Sequence, residues 1–339
     1  MPQNHELILA DGSAYDMGKR VSLALTPSDV QTPSELASYC AGFKNWRYNA
    51  DEVSPTILTE KKSDYYRTFD SDDAFTPVIV KTSGNAKVGE VDPKSSTALF
   101  KTQEMAIGSF ITEGLTGDSF DPKMAAVRRC RNVIDLDREI RVMRALVGTN
   151  TNWAATVRTA LTTNENWNGG SSSTPIEDLQ NAIQKSYQPV TGIWMNEYVF
   201  HAFMRHANVK SYMRQMLGDG AVQSAPVSGT DVVGSIVIPG LPRINISRAK
   251  YNPDGTLTYV MPNSVVLITK PPVVPKDGEE CASSYTFRYK GVNGEGYNVR
   301  EYRDESRGAN GGDMIVVTLD EVETMTGSTC GGIITGIIA

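Results

Sequence analysis

The side chains able to do chemistry are few, and their spacing does not suit it. The three histidines are His5, His201 and His206. The last two stand five apart, so on a helix they do not share a face as i, i+4 zinc ligands do, and no H-E-x-x-H occurs. Helix packing or solvent is their expected setting. No G-x-S-x-G is present, so the usual nucleophile turn is missing. Gly291, Gly294 and Gly296 crowd together in GVNGEG, but a phosphate loop needs a helix N-terminus behind it and none follows; the stretch reads as a hairpin turn. Asp70, Asp72 and Asp73 lack the glycine and closing glutamate of a calcium loop. Asp135 and Asp137, two apart on a helix, face different ways and make no acid pair. Cys40, Cys130, Cys281 and Cys330 are scattered, with no C-x-x-C, which argues against zinc and redox motifs and predicts buried free thiols. No catalytic residue, cofactor or metal ligand is assigned. A soluble enzyme with a site built from distant residues stays as a minor alternative.

Composition points the same way. The 339 residues are 40% hydrophobic and 21% charged, with a formal net charge of −6. That is ordinary for a globular chain large enough to bury a sizeable core. An acidic chain does not grip nucleic acid through a basic surface. No apolar run approaches the ~20 residues of a membrane span. The N-terminus lacks a basic start and apolar core, so no secretory signal is expected.

What remains is architecture, and the longest element is Asp121–Gly148. Asp121 caps a helix, Pro122 takes the first helical position and Gly148 stops it, predicting a rod of roughly 40 Å. Met124, Val127, Cys130, Ile134, Ile140, Met143 and Val147 form an apolar stripe. Arg131 reaches Asp135 and Asp137 reaches Arg141, pairs worth ~0.3–0.5 kcal/mol each on a solvated face. The alternative to that face is a two-signed rod lying across neighbouring subunits.

Around the helix the chain alternates. Residues 1–34 read as an extended arm, and Thr32–Trp46 contains a short helix with Leu36, Tyr39, Cys40 and Phe43 on one face. From residue 51 the pattern is strand: Thr56–Glu60, a run marked by Tyr65, Tyr66 and Phe69, and one long strand across Ser96–Glu113, with a polar excursion between. A two-stranded projection is marginal alone in water, so another subunit is the expected support. The Thr-, Asn- and Ser-rich stretch 149–174 reads as a loop or ordered linker. A helix follows from Pro175, then a strand over Val190–Met195 and a helix broken near Asn208. Short strands are expected at 232–238, 243–247, 259–261, 265–269, 285–289 and 296–302, with a long strand at 312–326 and a last one at 333–338.

This order resembles the major capsid protein of tailed bacteriophages, the HK97 fold, over nearly the whole chain. ELASYCAGFKNWRYNADEVSPTILTEKKSDYY is similar to the arm entering the E-loop, and RRCRNVIDLDREIRVMRALV to the spine helix of the peripheral (P) domain. TPIEDLQNAIQK is similar to that domain's second helix, and WMNEYVFHAFMRHANVKSYM with INISRAKYN to the axial (A) domain. REYRDESRGANGGDMIVVTLDEVETM and GGIITGII resemble the long return strand and the final strand. The resemblance implies an α+β fold divided as arm 1–50, E-loop β-ribbon 51–116, P domain 117–188 with spine helix 122–147, A domain 189–284, return strands 285–326 and terminal strand 327–339.

By the same resemblance the chain forms hexamers and pentamers of an icosahedral shell around double-stranded DNA, with an E-loop lying over the neighbour's P domain. Expected partners are a portal protein, a separate scaffolding protein if any and a decoration protein, with no sequence-specific DNA contact and no membrane. The expected location is the virion capsid, assembled in the host cytoplasm. An encapsulin nanocompartment is the alternative within the fold. Tyr65, Tyr66, Phe69 and Phe75 are candidates to anchor the E-loop on a neighbour, or to form a local core within the ribbon. Arg128, Arg129 and Arg138 are candidates to meet acidic groups across subunits. Some relatives join an E-loop lysine to a P-domain asparagine; Lys81, Lys87 and Lys94 lie in the excursion, and no crosslink is assigned to them.

Overall fold

The computed structural model describes residues 7–8, 14–15, 34–42, 48–69, 96–112, 121–148, 152–217, 234–236, 238–274, 280–291, 296–307 and 311–338. A small pair, β1 (Leu7–Ile8) and β2 (Ala14–Tyr15), precedes α1 (Ser34–Gly42) and α2 (Ala50–Val53). Then come β3 (Thr56–Thr59), β4 (Ser63–Thr68), β5 (Ser96–Lys101), β6 (Gln103–Thr112) and α3 (Pro122–Met143). The second half holds β7 (Arg158–Ala160), α4 (Pro175–Lys185), β8 (Gly192–Asn196), α5 (Glu197–Arg205), α6 (Ala207–Leu217), β9 (Gly234–Ile236) and β10 (Arg243–Ser247). It closes with β11 (Lys250–Tyr251), β12 (Thr258–Tyr259), β13 (Val265–Ile268), β14 (Ser284–Tyr289), β15 (Tyr297–Asp304), β16 (Gly312–Met325) and β17 (Gly331–Thr335).

Two sheets organise these elements. One is six-stranded, in the order β7-β17-β13-β8-β10-β9. Side chains alternate across it. Ile193, Met195, Ile244 and Ile246 meet α4, α5 and α6, while Trp194, Val266, Ile268 and Ile333 meet the end of α3. The other sheet is built on β16, which pairs with β6 along residues 312–321 on one side and with β15 and then β14 on the other, β3 lying beyond β14. Its inner face packs on α1 and α3 through Val127, Cys130, Ile134, Ile315, Val317 and Leu319. The helix α3 therefore touches both sheets, its first half on one and its last turns on the other.

The expected start of this helix is present. Asp121 Oδ1 accepts from the backbone N–H of Lys123 and Met124 at 2.9 and 3.3 Å, and Pro122 follows. Its end differs in pitch: the α-helical hydrogen bonding stops at Met143, and a wider turn carries Arg144–Gly148. Trp153, fully buried, donates its indole N–H to Leu146 O at 2.7 Å and fixes that end.

Five other expectations are corrected. The strand expected across Ser96–Glu113 breaks at Thr102, which donates both its N–H and its hydroxyl to Lys62 O, so β5 joins the ribbon and β6 the sheet built on β16. The stretch 149–174 is no mere linker, since β7 pairs with β17 and Trp153 and Trp167 are core residues. GVNGEG is not a hairpin turn: β14 and β15 run in one direction along the same side of β16, and Gly296 N–H donates to Lys290 O at 2.9 Å. Cys281 and Cys330 are not free thiols but a disulfide, while Cys40 and Cys130 are free and buried. Lastly, the described part of the ribbon rests on its own chain. Phe100 stacks on Phe287 at 4.5 Å and Tyr66 tilts against the same ring at 5.4 Å.

Candidate assembly surfaces and the charge cluster beneath them

The ribbon β4–β5 has two faces because strand side chains alternate. Tyr66 and Phe100 point toward the body. Tyr65 and Leu99 are cross-strand partners on the other face, 70% and 61% exposed. Beside them opens a groove of about 770 Å³, lined by Leu58, Tyr65, Tyr66, Phe100, Val274 and Phe287. The strand β3 forms one wall, and its outer edge pairs with no described strand. An exposed strand edge beside apolar side chains is a surface on which another chain can dock.

Each candidate from the sequence has a definite place. Tyr65 is outward and exposed, and Tyr66 is half-buried against Phe287. Phe69 is half-buried and its N–H donates to Thr326 O at 2.9 Å. Phe75, the three acidic residues from Asp70 to Asp73, and Lys81, Lys87 and Lys94 lie outside the described residues. Arg129 is exposed on α3. Arg128 donates from Nε and Nη2 to the Tyr39 hydroxyl at 2.9 and 2.6 Å. Arg138 is buried and turned inward: Nη1 meets Asp51 at 2.5 Å, Nη2 donates to Thr56 Oγ1 at 2.8 Å, and Nε lies 3.5 Å from Glu321.

That arginine belongs to a buried cluster between α3 and the sheet built on β16, which replaces the solvated face expected for the charges of this helix. Arg131 and Asp135 pair at 2.8 Å, both buried, and the Arg131 guanidinium lies 3.4 Å from the centre of the Tyr297 ring. Glu321 meets Arg141 and Arg288 at 2.8 Å each, and Arg141 also pairs with Glu323 and with Asp137. Burial alone would raise the Glu321 carboxyl, but Arg138, Arg288 and Arg141 outweigh it and hold it below the usual carboxylate range. Glu139 differs. Its Oε2 accepts from the N–H of Asn49 and Ala50 at 2.9 and 2.7 Å, capping α2, yet Oε1 has no partner. Full burial pushes its carboxyl up to about 7. Such clusters fix geometry more than they add stability, because desolvation offsets most of the attraction.

Sequence reasoning missed Arg288, Glu321, Glu323, Glu139 and Asp51 as a group. A signal existed. Arg131 and Arg138 fall at helical spacing with Val127 and Ile134, inside the apolar stripe, and Glu321 continues the alternation of Ile315, Val317 and Leu319. No group of three or more metal-ligating side chains occurs among the described residues, and no described helix is long and apolar enough to cross a membrane.

Comparison with known proteins gives the geometry its setting. No protein-family model matches the chain. It is 24% identical to the major capsid protein of Pseudomonas phage JBD67 over 224 residues, 65% of this chain and 71% of that protein. In structure it is similar to a phage-related protein from Bordetella bronchiseptica, with a TM-score of 0.67 at 14% identity, covering 90% of this chain and 97% of the other. It is also similar to a prophage capsid protein from E. coli CFT073, with a TM-score of 0.56 at 11% identity, covering 90% and 99%. The chain is thus similar in sequence to a phage major capsid protein, and it has the α+β fold of HK97-like capsid proteins, with an exposed apolar strand edge on a body tied together by α3.

Proposed function

We propose that the chain assembles, as hexamers and pentamers, into the icosahedral head of a tailed phage around packaged double-stranded DNA, and that its role is structural rather than enzymatic. The observation that carries this reading is the apolar strip at Tyr65 and Leu99, beside the open edge of β3, on a chain of this fold. In a shell of many copies, contacts that are weak singly act together. The ribbon of one copy supplies the strip and the P domain of its neighbour receives it, through Tyr65 and through Arg129 on the exposed side of α3. The net charge of −6 supports an inner wall that lets DNA slide instead of gripping it. A portal protein at one vertex, and scaffolding or decoration proteins, are the partners such a shell takes.

Electron microscopy of the expressed protein tests this. Closed shells of capsid size, or such shells with DNA when the portal and packaging proteins are supplied, support it. Small shells filled with cargo protein would move the chain to the nanocompartment reading, and discrete monomers or dimers at all concentrations would remove both.

A further inference from the structure

The four cysteines fall into two settings. Cys40 and Cys130 lie under the sheet built on β16, 0% and 2% exposed, and burial pushes both thiols up. Cys281 is half-buried just before β14, whereas its disulfide partner Cys330, just before β17, is 3% exposed. One sulfur of the bonded pair is therefore open to a reagent in solvent and the other is not.

The junction around the pair is also shaped by hydrogen bonds that the S–S bond does not supply. Ser283 O accepts from Thr326 N–H at 3.2 Å, and Ala282 O accepts from the Thr326 hydroxyl at 2.9 Å. The Ser283 hydroxyl donates to Cys330 O and accepts from Thr269 N–H at 2.9 Å, while Cys330 N–H donates to Gly327 O at 3.1 Å. Only glycine fits at 327, where a Cβ would stand 2.9 Å from Cys330 Sγ and 2.6 Å from Ala282 O. These contacts hold the chain beside one cysteine against the chain beside the other. A dithiol form therefore keeps its two sulfurs together, at high effective concentration.

We infer that Cys281 and Cys330 form a redox site, closed from the dithiol by exchange with a low-molecular-weight disulfide of the glutathione class. The Cys281 thiolate attacks one sulfur of the small disulfide; a first small thiol leaves and a mixed disulfide forms on Cys281. The Cys330 thiolate then attacks the Cys281 sulfur, the second small thiol leaves and the protein S–S bond is made. The two cysteines are oxidised, the small disulfide is reduced to two thiols, and the two protons from the cysteines pass to those thiols. In a reducing compartment the chain stands as a folded dithiol. Oxidation then ties the entry of a strand in one sheet to the entry of a strand in the other and locks the two together.

The test uses the purified full-length chain, reduced, freed of reductant and then held with oxidised glutathione. Intact mass after alkylation in denaturant should show two of the four thiols lost, and peptide mapping should join Cys281 to Cys330 and find Cys40 and Cys130 alkylated. The reduced chain should keep the circular dichroism of the oxidised one and unfold about 5 °C lower. Cys330→Ser should trap a glutathione adduct on Cys281, and Cys281→Ser should take up far less. In cells expressing the protein in a reducing cytoplasm, quenched with alkylating reagent at lysis, both cysteines should be alkylated. Four thiols left after glutathione, a chain that unfolds on reduction, equal adduct in the two variants, or a pair already bonded in the quenched cells each overturns the proposal.

Discussion

Arg288 on β14 and Glu321 on β16 are cross-strand partners, and the arginine places Nε and Nη2 at 3.1 and 2.8 Å from a single carboxylate oxygen, Oε2. The other oxygen, Oε1, accepts from Arg141 on α3 at 2.8 Å. One side chain thus ties two strands of the sheet to the helix behind them. Replacing it by Glu321→Gln leaves buried guanidinium groups without their counter-charge. The expected loss is ~3–5 kcal/mol, the cost of breaking a buried pair from one side. Denaturant unfolding of the isolated chain measures it, and a loss under ~1 kcal/mol would show that the cluster is solvated in solution.

Glu139, one turn of helix from Asp135, gives the opposite pH dependence to Glu321. Its folded-state value, pushed up to about 7, lies above the ordinary 4.5. The unfolded chain therefore releases this proton first as pH rises. Glu139 lowers stability progressively from about pH 4.5 to about 7, by about 3 kcal/mol in all. Glu321, held below its ordinary value, contributes stability that is present above that value and lost as pH falls through the folded one. In Glu139→Gln the amide oxygen still accepts from Asn49 and Ala50 but carries no charge. The variant should gain on the wild type as pH rises from 5 to 7.5. A Tm difference that stays constant over that range would mean that Glu139 titrates normally.

Part of this was legible in the chain and part was not. Asp121-Pro122 announced the start of α3 because capping is local chemistry, and the apolar stripe announced its buried side. The same stripe held Arg131 and Arg138, but a charge within an apolar face is informative only once its partner is known. Asp51 and Glu321 come from 87 and 183 residues away. Phe287 beneath the ribbon and Cys330 beside Cys281 were hidden for the same reason, since sheet topology brings them together. GVNGEG misled because glycine-rich stretches look alike in sequence whether the strands on either side reverse or continue, as β14 and β15 do.

Gly296, just before β15, has φ +85°, and a Cβ there would clash with Cδ of Arg288. Gly296→Ala meets both a left-handed backbone penalty and a clash with the residue that holds Glu321. The expected loss is about 2–4 kcal/mol. Because the clash acts through Arg288, the double variant Gly296→Ala, Arg288→Ala should lose less than the sum of the two single changes. Strict additivity in a double-mutant cycle would separate the turn from the charge cluster.

Cys281, just before β14, and Cys330, just before β17, are joined across a sequence separation of 49, so the disulfide links the entries to the two sheets. Ser283 bridges the same junction, donating to Cys330 O and accepting from Thr269 N. Closing a loop of that length constrains the unfolded chain by ~4 kcal/mol in the chain-entropy account. Unfolding with and without a thiol reductant should differ by that order, and Cys330→Ser should remove the difference. An unchanged transition under reductant, with free-thiol titration confirming reduction, would show that the hydrogen bonds of Ser283 hold the junction unaided.

The last prediction separates folding from assembly. Tyr65 is 70% exposed and Arg129 lies on the open side of α3, so neither is needed for the core. Tyr65→Ser and Arg129→Glu should each leave the unfolding free energy of the unassembled chain within ~0.5 kcal/mol. If these residues face a neighbouring copy, both substitutions reduce the yield of closed shells, and the charge reversal does so more at low salt than at high salt. Glu321→Gln behaves differently, losing stability before assembly is reached. Sedimentation of assembled against unassembled protein, set beside denaturation curves of the same preparations, distinguishes the two patterns. Normal shell yield in both surface variants would move the subunit contact away from the ribbon strip and from α3, leaving the groove beside β3 as the surface to test next.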